Sequence, residues 1–151
     1  MSVVGTVYSF KALNGAMTNA AIGVTIPFGG QIGTGQVVVA NTTDHTTHEI
    51  AADGVVMPSF VAGDSGTVTI ECQQTSIIHQ LLLGWLNILK TSAMLGNLSN
   101  WANTSMLLVE TTTGQSHVIT GISPNKAADK TYAAQGGHVT WTLPACNIVN
   151  T

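Results

Sequence analysis

Along most of the chain apolar and polar residues alternate with a period of two, the spacing that sends successive side chains to opposite faces of a strand. Val4, Thr6, Tyr8 and Phe10 share one face of such a pattern, and Ala20, Ile22, Val24 and Ile26 share another. The turn-forming pair Asn14-Gly15 lies between them, so the first two elements are predicted to be paired strands. Gly29, Gly30, Gly33 and Gly35 then loosen the chain ahead of Val37-Val38-Val39, a β-branched run that reads as a strand buried on both faces. Val55 to Val61 and Thr67 to Cys72, joined by Ala62-Gly63-Asp64-Ser65-Gly66, form the clearest hairpin of the sequence. Its second strand should turn Val68, Ile70 and Cys72 to the core and Thr67, Thr69 and Glu71 outward.

The period changes after Ser76, a residue type suited to cap a helix N-terminus. A helix is predicted from about Ser76 to Lys90, with Ile77, Leu81 and Trp85 stacked at i, i+4, i+8 and Ile78, Leu82 and Leu89 widening the stripe. Lys90 in the last turn would suit the helix dipole. His79, Gln80, Gly84 and Asn87 interrupt this stretch, and it is shorter than the ~18 to 20 apolar residues that span a bilayer, so it reads as a core helix and not a membrane anchor. Strands return at Ser105 to Glu110, at His117 to Ile122 after the Thr113-Gly114 turn, and at His138 to Leu143, with Val139, Trp141 and Leu143 inward. The order of strands, one helix and more strands predicts a single domain over residues 1–151. Its fold class is mainly β: an antiparallel β-sandwich or barrel with one flanking α-helix and a long projecting loop or hairpin.

The projecting segment is Asn41 to Asp53, polar and without a sustained apolar period. It carries Asp44, His45, His48 and Glu49, residue types that ligate metals. The threonines around them, Thr42, Thr43, Thr46 and Thr47, favour extended chain that separates neighbours onto opposite faces, so a solvated loop is the preferred reading and no metal site is expected. His79, His117 and His138 stand singly and read as surface or satisfied core residues. There is no Gly-x-Ser-x-Gly elbow, no phosphate-binding glycine loop with its lysine, and no Cys-x-x-Cys pair, so neither an enzyme nor a cofactor is predicted. Cys72 and Cys146 read as small buried thiols. Trp85 and Trp141 fall on inward stripes, which leaves only Trp101 for the less favoured alternative of a carbohydrate-binding sandwich. The first residues lack the basic and apolar regions of a secretory signal.

Composition sharpens the picture. Of 151 residues only 4 lysines and 7 acids are charged, 7% against the roughly 25% of an ordinary soluble domain. A monomer of this size exposes on the order of 7,000 Å², so an isolated copy should be sticky. With no arginine and a formal charge of −3, the chain lacks the cationic footprint of a nucleic-acid binder.

From Ala52 onward a specific pattern appears: Ala52-Asp53-Gly54-Val55-Val56-Met57-Pro58-Ser59, then Ala62-Gly63-Asp64-Ser65-Gly66-Thr67-Val68-Thr69, then Gln74-Thr75-Ser76 leading into the helix. It continues at Lys130-Thr131-Tyr132-Ala133-Ala134-Gln135-Gly136-Gly137-His138-Val139-Thr140-Trp141-Thr142. This resembles the tail tube proteins of contractile-tailed bacteriophages. The resemblance implies a structural virion protein whose hexameric rings stack into the hollow inner tube of a contractile tail, the conduit for genome ejection. Implied partners are the tube's own copies, the tail sheath, the tape measure protein and then DNA in the lumen without specific binding, and baseplate and tail-terminator proteins at the ends. No membrane partner is implied. The implied location is the virion tail, with assembly in the host cytoplasm. A neighbouring alternative is the tube of a phage-derived, tailocin-like injection device. Within such a tube, Thr42, Asp44, His45, His48, Glu49 and Asp53 are expected to serve ring-on-ring contacts, and Thr67, Thr69 and Glu71 to face the lumen, although that outward face could equally meet the sheath.

Overall fold

A computed structural model describes residues 5–29 and 33–151. The strands are β1 (Leu13–Asn19), β2 (Val24–Phe28), β3 (Thr34–Asn41), β4 (Thr46–Ile50), β5 (Val56–Phe60), β6 (Gly66–Gln73), β7 (Thr104–Glu110), β8 (Gln115–Ile122), β9 (His138–Ala145) and β10 (Asn147–Asn150). The helix α1 (Ile77–Met94) lies between β6 and β7. Every strand pair is antiparallel, in a five-stranded sheet of order β10-β8-β7-β1-β2, a three-stranded sheet β3-β6-β9 and a separate ribbon β4-β5. The larger sheets form an open sandwich and do not close into a barrel, leaving β2 and β10 as edges of one and β3 and β9 as edges of the other.

Period-two burial builds the core. β6 buries Val68, Ile70 and Cys72, β9 buries Val139, Trp141, Leu143 and Ala145, and the opposing sheet supplies Met17, Ile26, Met106, Leu108, Ile119 and Ile148. α1 closes one side with Ile78, Leu82, Trp85, Leu86 and Leu89. Each fully buried aliphatic side chain contributes about 1.5–3 kcal/mol relative to exposure. Ser76 caps the helix as expected, its Oγ accepting from the His79 backbone N–H at 3.2 Å. At the Trp85 end, Thr104 Oγ1 accepts from Trp85 Nε1–H at 3.0 Å and from Asn19 Nδ2–H at 3.2 Å, joining α1, β1 and β7 through one buried hydroxyl. The chain changes sheets between β9 and β10 at Cys146, whose N–H donates to Thr120 O at 3.2 Å. Gly121 sits against that corner in the left-handed region, where an added Cβ would strike Cys146.

Several expectations are corrected. Val4 lies outside the described residues; Thr6 to Ser9 form no strand, and Phe10–Ala12 make a single 3-10 turn. Asn14-Gly15 is no turn but part of β1. Gly15 is there because a Cβ would run into the Leu107 carbonyl of β7, and the reversal comes later, at Ala20 to Gly23. Val37-Val38-Val39 does form a strand, yet Val38 is exposed and its neighbours half-buried, because the sheet has solvent on one side. β5 pairs with β4 and not with β6, which pairs with β3 and β9. Residues 61–65 bond back to residues 42–45 instead of reversing the chain, so β5 runs on into β6. α1 extends four residues beyond Lys90, which removes that lysine from the last turn, and Ile77 points away from the core. Cys72 is buried as expected, but Cys146 is exposed at its corner; both are free thiols.

Candidate assembly site

β4 and β5 project from the sandwich, and all ten of their residues are exposed. The ribbon is tied down at its neck: Thr42 N–H donates to Ser65 O at 2.9 Å, Thr43 Oγ1 meets Ser65 Oγ at 2.7 Å, and Val61 N–H donates to His45 O at 2.8 Å. The His45 ring continues this brace, with Nδ1 3.0 Å from Val61 O, Nε2 3.3 Å from Asp64 Oδ1, and its plane stacked on Phe60. β10 supports the same neck, since Ile148 N–H donates to Asp64 O at 2.7 Å and Asn150 Nδ2–H donates to Asn41 Oδ1 at 2.9 Å. At the tip, Ala51 N–H donates to Val55 O at 2.8 Å, and Asp53 Oδ1 accepts from Val55 N–H at 3.1 Å.

Cross-strand register sorts the ribbon into two unlike faces. Thr46 with Phe60, His48 with Pro58 and Ile50 with Val56 share one face, while Thr47 with Ser59 and Glu49 with Met57 share the other. The first face is mostly apolar, and its Phe60 is 83% exposed. The same register separates His48 from Glu49, and His45 is engaged at the neck, so the structure does not gather the Asp44-His45-x-x-His48-Glu49 segment into a metal-ligating cluster. Of the six residues anticipated for ring-on-ring contact, His48 and Glu49 lie on the ribbon. Asp44 is exposed at the neck, where Thr42 and His45 act as braces, and Asp53 orders the tip.

Thr67, Thr69 and Glu71 lie together on the outward face of the three-stranded sheet. Opposite them stand Ala40, Val38 and Gln36 on β3 and Pro144, Thr142 and Thr140 on β9. Glu71 is the single carboxylate in these three cross-strand rows. Residues 125–129 lie beside His138, Thr140 and Thr142, bounding a groove of about 260 Å³.

The two stretches that carried the family pattern meet in space: Gln74 N–H donates to Gly137 O at 3.0 Å, and Gly137 N–H donates to Gln74 Oε1 at 3.3 Å. Gly137 enters β9 beside the lead-in to α1, so the pattern marks a fold-defining junction. Trp85 and Trp141 are buried and Trp101 is half-buried, so no tryptophan offers the open platform on which the carbohydrate-binding alternative rested. His79 is buried; burial first and the Lys130 charge second push its imidazole below the usual pKa. Burial likewise pushes the Cys72 thiol up, against a hydrogen bond to Ser76 that lowers it and with a smaller upward contribution from Glu71. What sequence reasoning missed is β10 and the brace it gives the hairpin, a four-residue strand too short for periodicity to reveal.

Comparisons with known proteins bear on the fold and the family. No curated protein matches the chain by sequence. Among solved structures, a chain of the sheath/tube terminator of PVC, an extracellular contractile injection system, in the extended state aligns with TM-score 0.58 and 10% identity over 99% of both chains. A chain of the anti-feeding prophage baseplate aligns with TM-score 0.57 and 11% identity, covering 100% of this chain and 97% of that one. A chain of the PVC sheath-tube complex aligns with TM-score 0.55 and 12% identity, covering 92% and 87%. At such identities these likenesses establish a shared fold. Residues 5–151 match the family described as bacteriophage PhiTE tail tube protein. The chain therefore belongs to that family of structural, non-enzymatic phage tail tube proteins.

Proposed function

We propose that six copies of this chain close into a ring and that the rings stack into the inner tube of a contractile tail, inside the virion and assembled in the host cytoplasm. The carrying observation is the β4-β5 ribbon. A lone two-stranded hairpin is marginal in water, and this one presents Ile50, Val56 and Phe60 exposed on one face, with the His45 ring stacked on Phe60. Copies in the next ring supply the cover, so the apolar face of the ribbon, with His48, makes the ring-on-ring contact while the Thr42, His45 and Asp53 bonds hold it in shape. The isolated chain exposes 9258 Å², about a quarter more than a compact monomer of its mass, as suits a subunit whose surface is completed by neighbours.

The outward face of β3-β6-β9 lines the lumen. Thr67, Thr69 and Glu71 there are polar and nearly neutral, and at −3 per subunit a ring of six carries −18. Such a wall offers DNA no counterion-release affinity, so the tape measure protein and then the genome pass without being held. The sheath surrounds the tube, and baseplate and terminator proteins cap its ends, as the assemblies holding the structural relatives illustrate. A genome-free injection device would use the same tube.

The test is Ile50→Glu, which places a charge on the ribbon's apolar face at a position 71% exposed and away from the braced neck. Rings that no longer stack into tubes are expected. Tubes of normal length would remove the hairpin from ring stacking.

A further inference from the structure

α1 carries a second apolar stripe, of which Leu81 alone leans on the core among its described residues. Ile77, Leu81, Gly84, Ile88, Thr91 and Leu95 follow one another in alternating steps of four and three, which lines them up along one side of the helix. Ile77, Ile88 and Leu95 are exposed and Leu81 is half-buried. Beside Ile88 and Leu95 lies an open groove of about 460 Å³. The stripe contains no charge, and Lys90 is the only Lys, Asp or Glu of the helix.

Gly84 sits near the middle of this stripe. Glycine in a helix interior weakens it, and a Cβ at Gly84 would meet nothing within 4 Å, so the subunit's own packing gives no reason for it. Close approach of another chain does.

A matching surface lies elsewhere on the same molecule. Pro27, Ala16, Leu107, Val118 and Val149 stand opposite one another across β2, β1, β7, β8 and β10, on the face turned away from the core. Thr18, Ser105 and Thr120 flank the row, and a groove of about 580 Å³ runs along it, again with no charged residue in its lining. An apolar strip with a polar rim is the anatomy of an interface. A ring closed head to tail needs two different, mutually complementary patches on every subunit. The helix stripe spans about 27 Å and the sheet row about 19 Å, and neither would confront the other with an unpaired charge.

Resting on the ring reading above, we infer that the contact within each ring is made by the outer stripe of α1 of one copy seated on the apolar row of the five-stranded sheet of the next, with Gly84 at the point of closest approach.

The test pairs Ile88→Cys with Leu107→Cys in the full chain, with the exposed thiol removed by Cys146→Ser. Oxidation of assembled rings is expected to produce a ladder of linked subunits up to the hexamer that neither single cysteine variant gives. A second variant, Gly84→Leu, fills space that is open in the monomer; it is expected to leave the monomer's melting temperature at or above that of the unmodified chain while abolishing rings. Rings of the unmodified chain, seen by electron microscopy, that give no 88–107 link, or that form normally with Gly84→Leu, overturn this interface and leave the ring standing, the helix face then belonging to a different protein such as the sheath. Absence of rings from the unmodified chain at high concentration overturns the ring reading itself.

Discussion

The indole Nε1–H of Trp141 donates to Nδ1 of His79 at 3.1 Å, between β9 and α1. An indole nitrogen only donates, so Nδ1 must be the accepting nitrogen and the proton of the neutral ring must sit on Nε2. His79 Nε2 is buried without a partner. Adding a proton at Nδ1 would set two donors against each other in a buried site and place a charge where burial and Lys130 already oppose it.

A pH dependence follows. The folded-state pKa of His79 lies below that of the unfolded chain, so the unfolded state binds more protons as pH falls through the ordinary imidazole value near 6.5. This contribution to stability is complete above that value and is lost progressively below it. The melting temperature of the dissociated subunit should therefore fall between pH 6.5 and pH 5. His79→Asn, which retains an acceptor for Trp141, should flatten the slope in that window; an unchanged slope would assign it to other groups.

Thr104 should be the costliest hydroxyl to delete. Thr104→Val preserves shape but strips the acceptor from Trp85 Nε1–H and Asn19 Nδ2–H, both buried. A loss of about 1–3 kcal/mol is expected in denaturant unfolding. A loss below about 0.5 kcal/mol would show that the two donors find other partners.

The cysteines should separate cleanly. Cys146 is exposed and Cys72 is buried with its thiol pushed toward the protonated form. One thiol per dissociated subunit should react with a disulfide reagent under native conditions, and the second only on unfolding. Equal rates for both would contradict the placement of Cys146 at an exposed corner.

Glu71→Lys should fold and assemble, because its side chain lies on the outward sheet face and pairs with no other charge among the described residues. In a tube it would place six cations in every ring. DNA should then be retained by tubes at low salt and released steeply as salt rises, where the unmodified tube shows neither effect. Tubes indifferent to DNA in both forms would move this face away from the lumen.

The sequence made legible whatever depended on one element at a time. The alternation of Val68, Ile70 and Cys72 marked β6, and Ser76 marked the start of α1. What it left obscure depended on two elements at once. Asn14-Gly15 has the chemistry of a turn, but Gly15 answers to the Leu107 carbonyl of β7, more than ninety residues away. Val55 to Val61 and Thr67 to Cys72 look like partners because both are strands separated by turn residues, yet pairing is decided by the bonds between residues 42–45 and 61–65. By spacing alone Ile77 continues the core stripe, because α1 is apolar on both sides and periodicity cannot say which side meets its own sheet. The hairpin was legible as a polar projection; its apolar face came into view only when β4 was set against β5.

The most direct test of the account is negative-stain electron microscopy of the purified full-length chain across a concentration series. Six-fold rings passing into tubes as concentration rises are the predicted result. Dispersed single particles at the highest concentration would contradict it, since a surface this poor in charge would then be keeping a monomer soluble unaided.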